Sequence, residues 1–148
     1  MRPAPLAPAA LALAALAAAG CSSDAGRRAE AERVLHAVDR LVAADRGDKG
    51  PPLRALEAQP CEDPAICQAK ATCLEAFRPL EESARLQREV RAAMAAGVAS
   101  GEGARLPPDR ALELFEKTDR AERAKQASER QLDGCLQAAA RLRLTLRL

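Results

Sequence analysis

The fold is decided by one stretch of sequence, Cys61-Glu-Asp-Pro-Ala-Ile-Cys67-Gln-Ala-Lys-Ala-Thr-Cys73-Leu-Glu-Ala-Phe77. It holds three of the five cysteines of the chain. Asp63 is a favourable N-cap residue, because its carboxylate can accept hydrogen bonds from the first free backbone N–H groups of a helix. Pro64 follows at the first helical position, where a missing N–H costs nothing. The stretch therefore predicts a helix that starts at Pro64 and carries cysteines.

The composition of the chain favours helices throughout. The 148 residues include two Phe but no Trp and no Tyr, and Val, Ile and Thr are scattered singly. Alanine, which has the highest helix propensity, buries little surface per residue. Such a chain gains order from helix packing and cross-links rather than from a bulky core. We predict an all-α fold, a small antiparallel bundle of three to four helices around a disulfide-braced helical hairpin.

Apolar periodicity and helix breakers divide the chain into segments. A first helix is predicted over residues 29–44, and one or two helical turns over residues 53–58. The second helix runs from residue 64 to about residue 96, with a kink or restart at Pro79. A third helix opens near Pro108 and continues to the C-terminus.

The second and third helices are predicted to form an antiparallel hairpin, because a short loop joins them. Because both helices rise by the same distance per residue and run in opposite directions, the numbers of two facing residues sum to about 205. This register places the large side chains of one helix over smaller ones of the other. The predicted facing pairs are Phe77 with Ser128, Leu80 with Lys125, Ala84 with Ala121, Val90 with Phe115, and Met94 with Leu112. We expect Leu112 and Phe115 to face the core.

Helix geometry selects one pairing of the four cysteines that follow Cys21. Cys67 and Cys73 lie about 9 Å apart along one helix, beyond the reach of a disulfide, and Cys73 is farther still from Cys61. Cys61 and Cys67 occupy positions that meet at a helix start. Cys73 then pairs with Cys135, which agrees with the hairpin register. We predict disulfides 61–67 and 73–135.

The N-terminus has the features of an export signal. Arg2 precedes an unbroken Ala/Leu run, Ala9–Ala19, which is shorter than a membrane-spanning helix. The run ends in Ala18-Ala19-Gly20-Cys21, which resembles the lipobox of bacterial lipoproteins, where the cysteine is lipidated and becomes the mature N-terminus. Lipidation of Cys21 also leaves an even number of cysteines. The alternative is ordinary secretion, with cleavage within residues 17–19.

The resemblance implies a location and a domain organisation. We expect a signal peptide over residues 1–20, a polar tether over 21–28 and a single helical domain over 29–148. The protein would be lipid-anchored in the bacterial cell envelope and face the periplasm. Ser22 after the cysteine favours the outer membrane, by resemblance to enterobacterial sorting.

The sequence contains no recognisable catalytic constellation. A net charge of +2 and the absence of Tyr and Trp argue against a nucleic-acid partner. The cysteine gaps do not fit zinc, and there is no Cys-x-x-Cys redox motif. His36, the only histidine, points away from the apolar face of its helix. We expect no catalytic residues, no metal site and no cofactor.

Three functions remain open from the sequence. The favoured one is a non-enzymatic, membrane-tethered helical binding or structural module whose partner is another envelope component. The second is a small periplasmic enzyme or redox carrier. The third is binding of anionic lipid or glycan by the Arg-rich C-terminal tail, residues 141–148, which is predicted to be helix that frays.

Overall fold

The computed structural model describes residues 12–45, 47–99 and 106–148, with side chains for residues 24–45, 47–98 and 106–148. The described part of the chain is all-α, as the composition predicts. Its helices, in chain order, are α1 (Ala12–Ala43), α2 (Gly50–Glu57), α3 (Pro64–Ala99) and α4 (Pro108–Leu146).

Helix α1 begins earlier than the apolar pattern indicates. Asp24 to Arg28, predicted as part of a polar tether, are helical and continuous with the rest of α1. The start of the first helix predicted at residue 29 is therefore too late, because Ala and Arg are good helix formers and the single Gly26 costs only about 1 kcal/mol. The expected apolar face is confirmed, since Val34, Val38 and Leu41 are buried.

Helix α2 and the turn before it complete the packing of α1. The helix starts at Gly50, three residues earlier than predicted, because Pro51 and Pro52 occupy its first turn, where proline is tolerated. The buried Lys49 donates hydrogen bonds from Nζ to the carbonyl oxygens of Leu41 (2.7 Å) and Val42 (3.0 Å). A cation at these carbonyls satisfies the C-terminal end of α1 and offsets its negative dipole.

Helices α3 and α4 form the predicted antiparallel hairpin. Helix α3 is continuous through Pro79, so the predicted restart is not observed. The carbonyl that loses its partner N–H at Pro79 belongs to the exposed Glu75, which water can reach. The register agrees with the predicted sum, since Cys73 is bonded to Cys135 and Lys117 Nζ lies 3.6 Å from Glu89 Oε2.

The buried residues of α4 follow a seven-residue spacing, which is typical of two helices packed like a coiled coil. They include Leu114, Ala121, Ser128, Cys135 and Leu142. The prediction that Leu112 and Phe115 face the core is therefore wrong. Both residues are exposed, because Leu114 occupies the inward position at this end of the helix.

The core lies at one end of the hairpin only. The buried residues of α1 and α2 pack with α3 up to Phe77 and Leu80 and with α4 from Leu132 onward. Beyond these positions the two helices bury Leu86 and Leu114 outside that core cluster. We call this projecting part of the hairpin, residues 83–99 and 108–128, the arm. The part of α3 that belongs to the arm, residues 83–99, is about 25 Å long at a rise of about 1.5 Å per residue.

Candidate interaction surface

The start of α3 is fixed by polar contacts to α1. Asp63 accepts hydrogen bonds at Oδ1 from the backbone N–H groups of Ala65 (2.8 Å) and Ile66 (3.2 Å), which confirms its predicted capping role. Glu30 of α1 accepts at Oε1 from the N–H groups of Glu62 (2.6 Å) and Asp63 (3.2 Å). Arg27 Nε lies 3.0 Å from Asp63 Oδ2. The described N-terminal part of α1 thus lies at the base of the hairpin, opposite the arm.

The cysteines pair as their spacing predicts. Cys61 and Cys67 are bonded at the start of α3, with Cα atoms 5.4 Å apart. Cys73 and Cys135 are bonded inside the core, with Cα atoms 4.5 Å apart. The disulfides indicate an oxidising, extracytoplasmic compartment.

The predicted export signal, residues 1–20 with Cys21, lies outside the residues whose side chains the structure describes. Within the described residues, none of the helices combines the length and the apolar composition needed to cross a bilayer.

The side chains considered for chemistry are dispersed. His36 is exposed, as predicted, in a shallow depression shared with Arg33, Arg40 and Gln59. Across the described ranges, no group of three or more His, Cys, Asp or Glu side chains is placed to hold a metal ion.

The C-terminal tail belongs to the packed domain. Helix α4 is continuous to Leu146, and the buried Leu142 and Leu146 attach it to the core. Arg143 forms an ion pair with Asp39 of α1. The strict Arg/Leu alternation of the tail therefore does not produce a strand, and its helical assignment is confirmed.

The far end of the arm exposes four large apolar side chains, Met94 and Val98 on α3 and Leu112 and Phe115 on α4. We call these residues the tip patch. Val98 is 76% exposed and Phe115 70% exposed, values unusual for residues of this size. Residues three or four apart share a helix face, so each helix contributes a neighbouring pair. Clustered exposed apolar residues of this kind mark interaction surfaces.

A groove of about 430 Å³ lies between α3 and α4 where the arm leaves the core. Small side chains line part of it, including Ser83, Ala84 and Ser128, and two leucines that also contact the core, Leu80 and Leu132, line its inner end. Gln87 and the charged Arg91, Glu122, Lys125 and Glu129 complete the lining with Gly47. Leu80 and Lys125, one of the facing pairs that the sequence register predicts, both line it. We refer to this feature as the groove.

Ion pairs hold the two helices of the arm together on the side away from the groove. Lys117 lies 3.1 Å from Glu113 and 3.6 Å from Glu89 across the hairpin. Arg120 of α4 pairs with Glu82 of α3. The hydrogen bond and charge of Lys117, and then the charge of Arg110, lower the pKa of Glu113 below its ordinary value. Because these contacts are exposed to solvent, they stabilise the arm only slightly.

Sequence reasoning missed the tip patch, because large apolar residues were assigned to the core by size. The signal that identifies the patch is the seven-residue spacing of the buried positions of α4. Counting back from Cys135 through Ser128 and Ala121, this spacing places Leu114 in the interface with α3 and Phe115 on the exposed side.

Comparisons of the chain with protein families, with curated proteins and with solved structures gave no match. The fold and the exposed surface therefore describe the protein as a disulfide-braced helical bundle from which a two-helix arm projects.

Proposed function

We propose that the protein is a lipid-anchored lipoprotein of a bacterial cell envelope that acts as a non-enzymatic helical binding module. The observation that carries this proposal is the tip patch, because burial of Val98 and Phe115 requires a surface that the described chain does not supply. The disulfides support an extracytoplasmic site of action. The lipobox-like Ala18-Ala19-Gly20-Cys21 supplies the anchor, facing the periplasm and, with Ser22, at the outer membrane.

The geometry of the hairpin suits a tethered module. Arg27, six residues after the proposed anchor Cys21, contacts Asp63 at the base. From Asp63 to Val98 the hairpin rises about 50 Å along its axis. The arm can thus present its tip patch well away from the point of attachment, in reach of another envelope component.

Two variants test the anchor and the surface separately. Cys21→Ala should move the protein from the membrane fraction to the soluble fraction or leave uncleaved precursor, and it should abolish incorporation of radiolabelled palmitate. Phe115→Ser should reduce chemical cross-linking of the full-length protein to its partner in intact envelopes, with little effect on folding. Leu144→Ser is the matched control, because Leu144 is 79% exposed and lies at the other end of α4.

The other functions give different outcomes in the same experiments. An enzyme or redox carrier that uses His36 would lose activity in His36→Ala, whereas a binding module should keep its stability and its cross-linking. A tail that binds anionic lipid or glycan would show salt-sensitive binding to anionic vesicles that Arg141→Ala and Arg147→Ala reduce. Equal palmitate incorporation by the wild type and by Cys21→Ala would contradict the anchor.

A further inference from the structure

The hairpin face that α1 and α2 cover continues along the arm, where no other helix among the described residues covers it. Leu80 and Leu132 line the inner end of the groove and also pack against the core. Gly47, in the link between α1 and α2, lines the groove at the same end. Phe77, seven residues before Ala84 on this face, is buried, with Lys49 Nζ 5.5 Å from its ring centre. The groove is therefore the direct continuation of an interface that other helices already occupy.

The tip patch lies on the same face as the groove. Residues seven apart on a helix differ in direction by only about 20°. Three residues of the tip patch lie seven positions from a residue that lines the groove. The pairs are Met94 with Gln87, Val98 with Arg91, and Phe115 with Glu122. Leu112 adjoins Phe115 at a spacing of three. One face of the arm thus carries large apolar side chains at its end and, in its middle, small side chains flanked by the charged Arg91, Glu122, Lys125 and Glu129.

We propose that this face binds the same face of a second copy of the chain, with the two arms antiparallel. A two-fold axis near Gln87 then places Met94 of each copy at the level of Leu80 of the other copy, and Phe115 at the level of Ala84, so that both side chains meet the other copy's groove. Such an isologous contact closes on itself and forms a dimer rather than a filament. The inference rests on the proposed function in taking the arm as the contact surface, and it names the partner.

Charge on this face fits the antiparallel arrangement. Arg91 lines the groove and makes no hydrogen bond or ion pair with the described residues. Glu122, on the opposite wall, lies 3.9 Å from Lys125 Nζ and accepts a hydrogen bond from Gln126 Nε2 (3.3 Å), both within α4, and makes no ion pair across the hairpin with the described residues. With the axis near Gln87, Arg91 of one copy lies beside Glu122 of the second copy, and the symmetry makes this pair twice. A parallel arrangement would place the two Arg91 side chains at the same level, where their like charges would repel each other.

The size of the face predicts a membrane-dependent association. From Leu80 to Val98 it is about 27 Å long, and two helices are about 20 Å wide, which gives on the order of 500 Å² per copy in projection. Stable interfaces bury about 800 Å² per partner. The dimer should therefore be weak in dilute solution and populated where lipid anchors confine the copies to one surface, since confinement raises the effective concentration.

Cysteine cross-linking in the envelope tests the pairing with the full-length chain. Gln87→Cys places a thiol near the proposed axis, so a short bismaleimide should join two copies. Ala92→Cys is the matched control, because Ala92 is exposed on the same helix but turned away from the groove face. The cysteines at 61, 67, 73 and 135 are in disulfides and do not react. We expect at least about tenfold more cross-linked dimer from Gln87→Cys, a difference set by proximity alone.

Two further sets of variants test the contacts in the Gln87→Cys background. Phe115→Glu should lower the dimer yield roughly tenfold, whereas Leu144→Glu should leave it unchanged. Arg91→Glu and Glu122→Arg should each lower the yield, and the double exchange should restore it.

Each alternative outcome overturns the pairing. Equal yields from Gln87→Cys and Ala92→Cys, a dimer insensitive to Phe115→Glu, or attachment of Gln87→Cys to a different protein would each contradict it. Fractionation of the same cells reports on the anchor independently. Absence of the anchor with retained cross-linking would contradict the proposed lipoprotein function and the membrane dependence of the dimer, but not the pairing of the two faces. An anchored protein without the cross-link would contradict the pairing alone.

Discussion

Removal of the long disulfide is the most severe test of how this domain is held together. Cys73→Ala combined with Cys135→Ala deletes the one covalent link between α3 and α4 among the described residues. Both cysteines are completely buried in the core cluster. The double variant leaves no free thiol at this place and introduces no buried polar group.

The size of the effect follows from the loop that the bond closes. Cys73 and Cys135 are separated by 62 residues, and Cys61 and Cys67 by 6. On the chain-entropy account, closing these loops restricts the unfolded chain by about 4 kcal/mol and about 2 kcal/mol, respectively. A single domain has a net stability of only about 5–15 kcal/mol. Since this core contains few bulky side chains, we expect the long disulfide to supply most of the free energy of unfolding.

Urea unfolding followed by far-UV circular dichroism measures the prediction directly, because the chain has no Trp or Tyr to serve as a fluorescent probe. At a typical slope of about 2 kcal/mol per M, a loss of 4 kcal/mol lowers the midpoint by about 2 M. The control is Cys61→Ala with Cys67→Ala, which should lower it by about 1 M and leave most of the helix content intact.

Two results would refute the reasoning. A loss below about 1 kcal/mol in the Cys73/Cys135 double variant would show that α3 and α4 pack without the link. A larger loss in the Cys61/Cys67 variant would show that the capped start of α3, rather than the long cross-link, controls stability.

The remaining predictions concern polar contacts. Lys49→Met, which keeps the aliphatic stem but leaves the carbonyls of α1 without this donor, should lower the free energy of unfolding by about 1–3 kcal/mol in the same urea assay. Asp63→Ala should cost about 1 kcal/mol by loss of the N-cap, and Asp63→Asn, which keeps the cap, should cost less; equal losses would assign the effect to the ion pair with Arg27. The pKa of Glu113, measured by carboxyl NMR, should lie below its ordinary value of 4.5, and Lys117→Met should raise it. Because this pKa is lowered in the folded protein, the carboxylate stabilises the fold at pH values above 4.5, and this stabilisation is lost as the pH falls through the lowered pKa.

Local rules and chain geometry account for what the sequence predicted correctly. Asp63 and Pro64 mark the start of α3, because capping and proline preferences depend only on adjacent residues. The pairing of Cys73 with Cys135 follows from the rise and turn of a helix together with one short loop. The exposure of His36 follows from its direction on α1.

Only the tertiary structure decided where the core ends. Phe115 and Leu112 are as apolar as core residues, and the sequence alone does not say that α1 and α2 do not extend along the arm to cover them. Because a side chain is buried only when another element covers it, burial at the far end of α4 depends on the length and placement of helices distant in sequence. The sequence by itself determined the helices, the hairpin and its cross-links. The packing of α1 and α2 against one end of that hairpin decided that the other end projects as an arm with an exposed apolar tip patch.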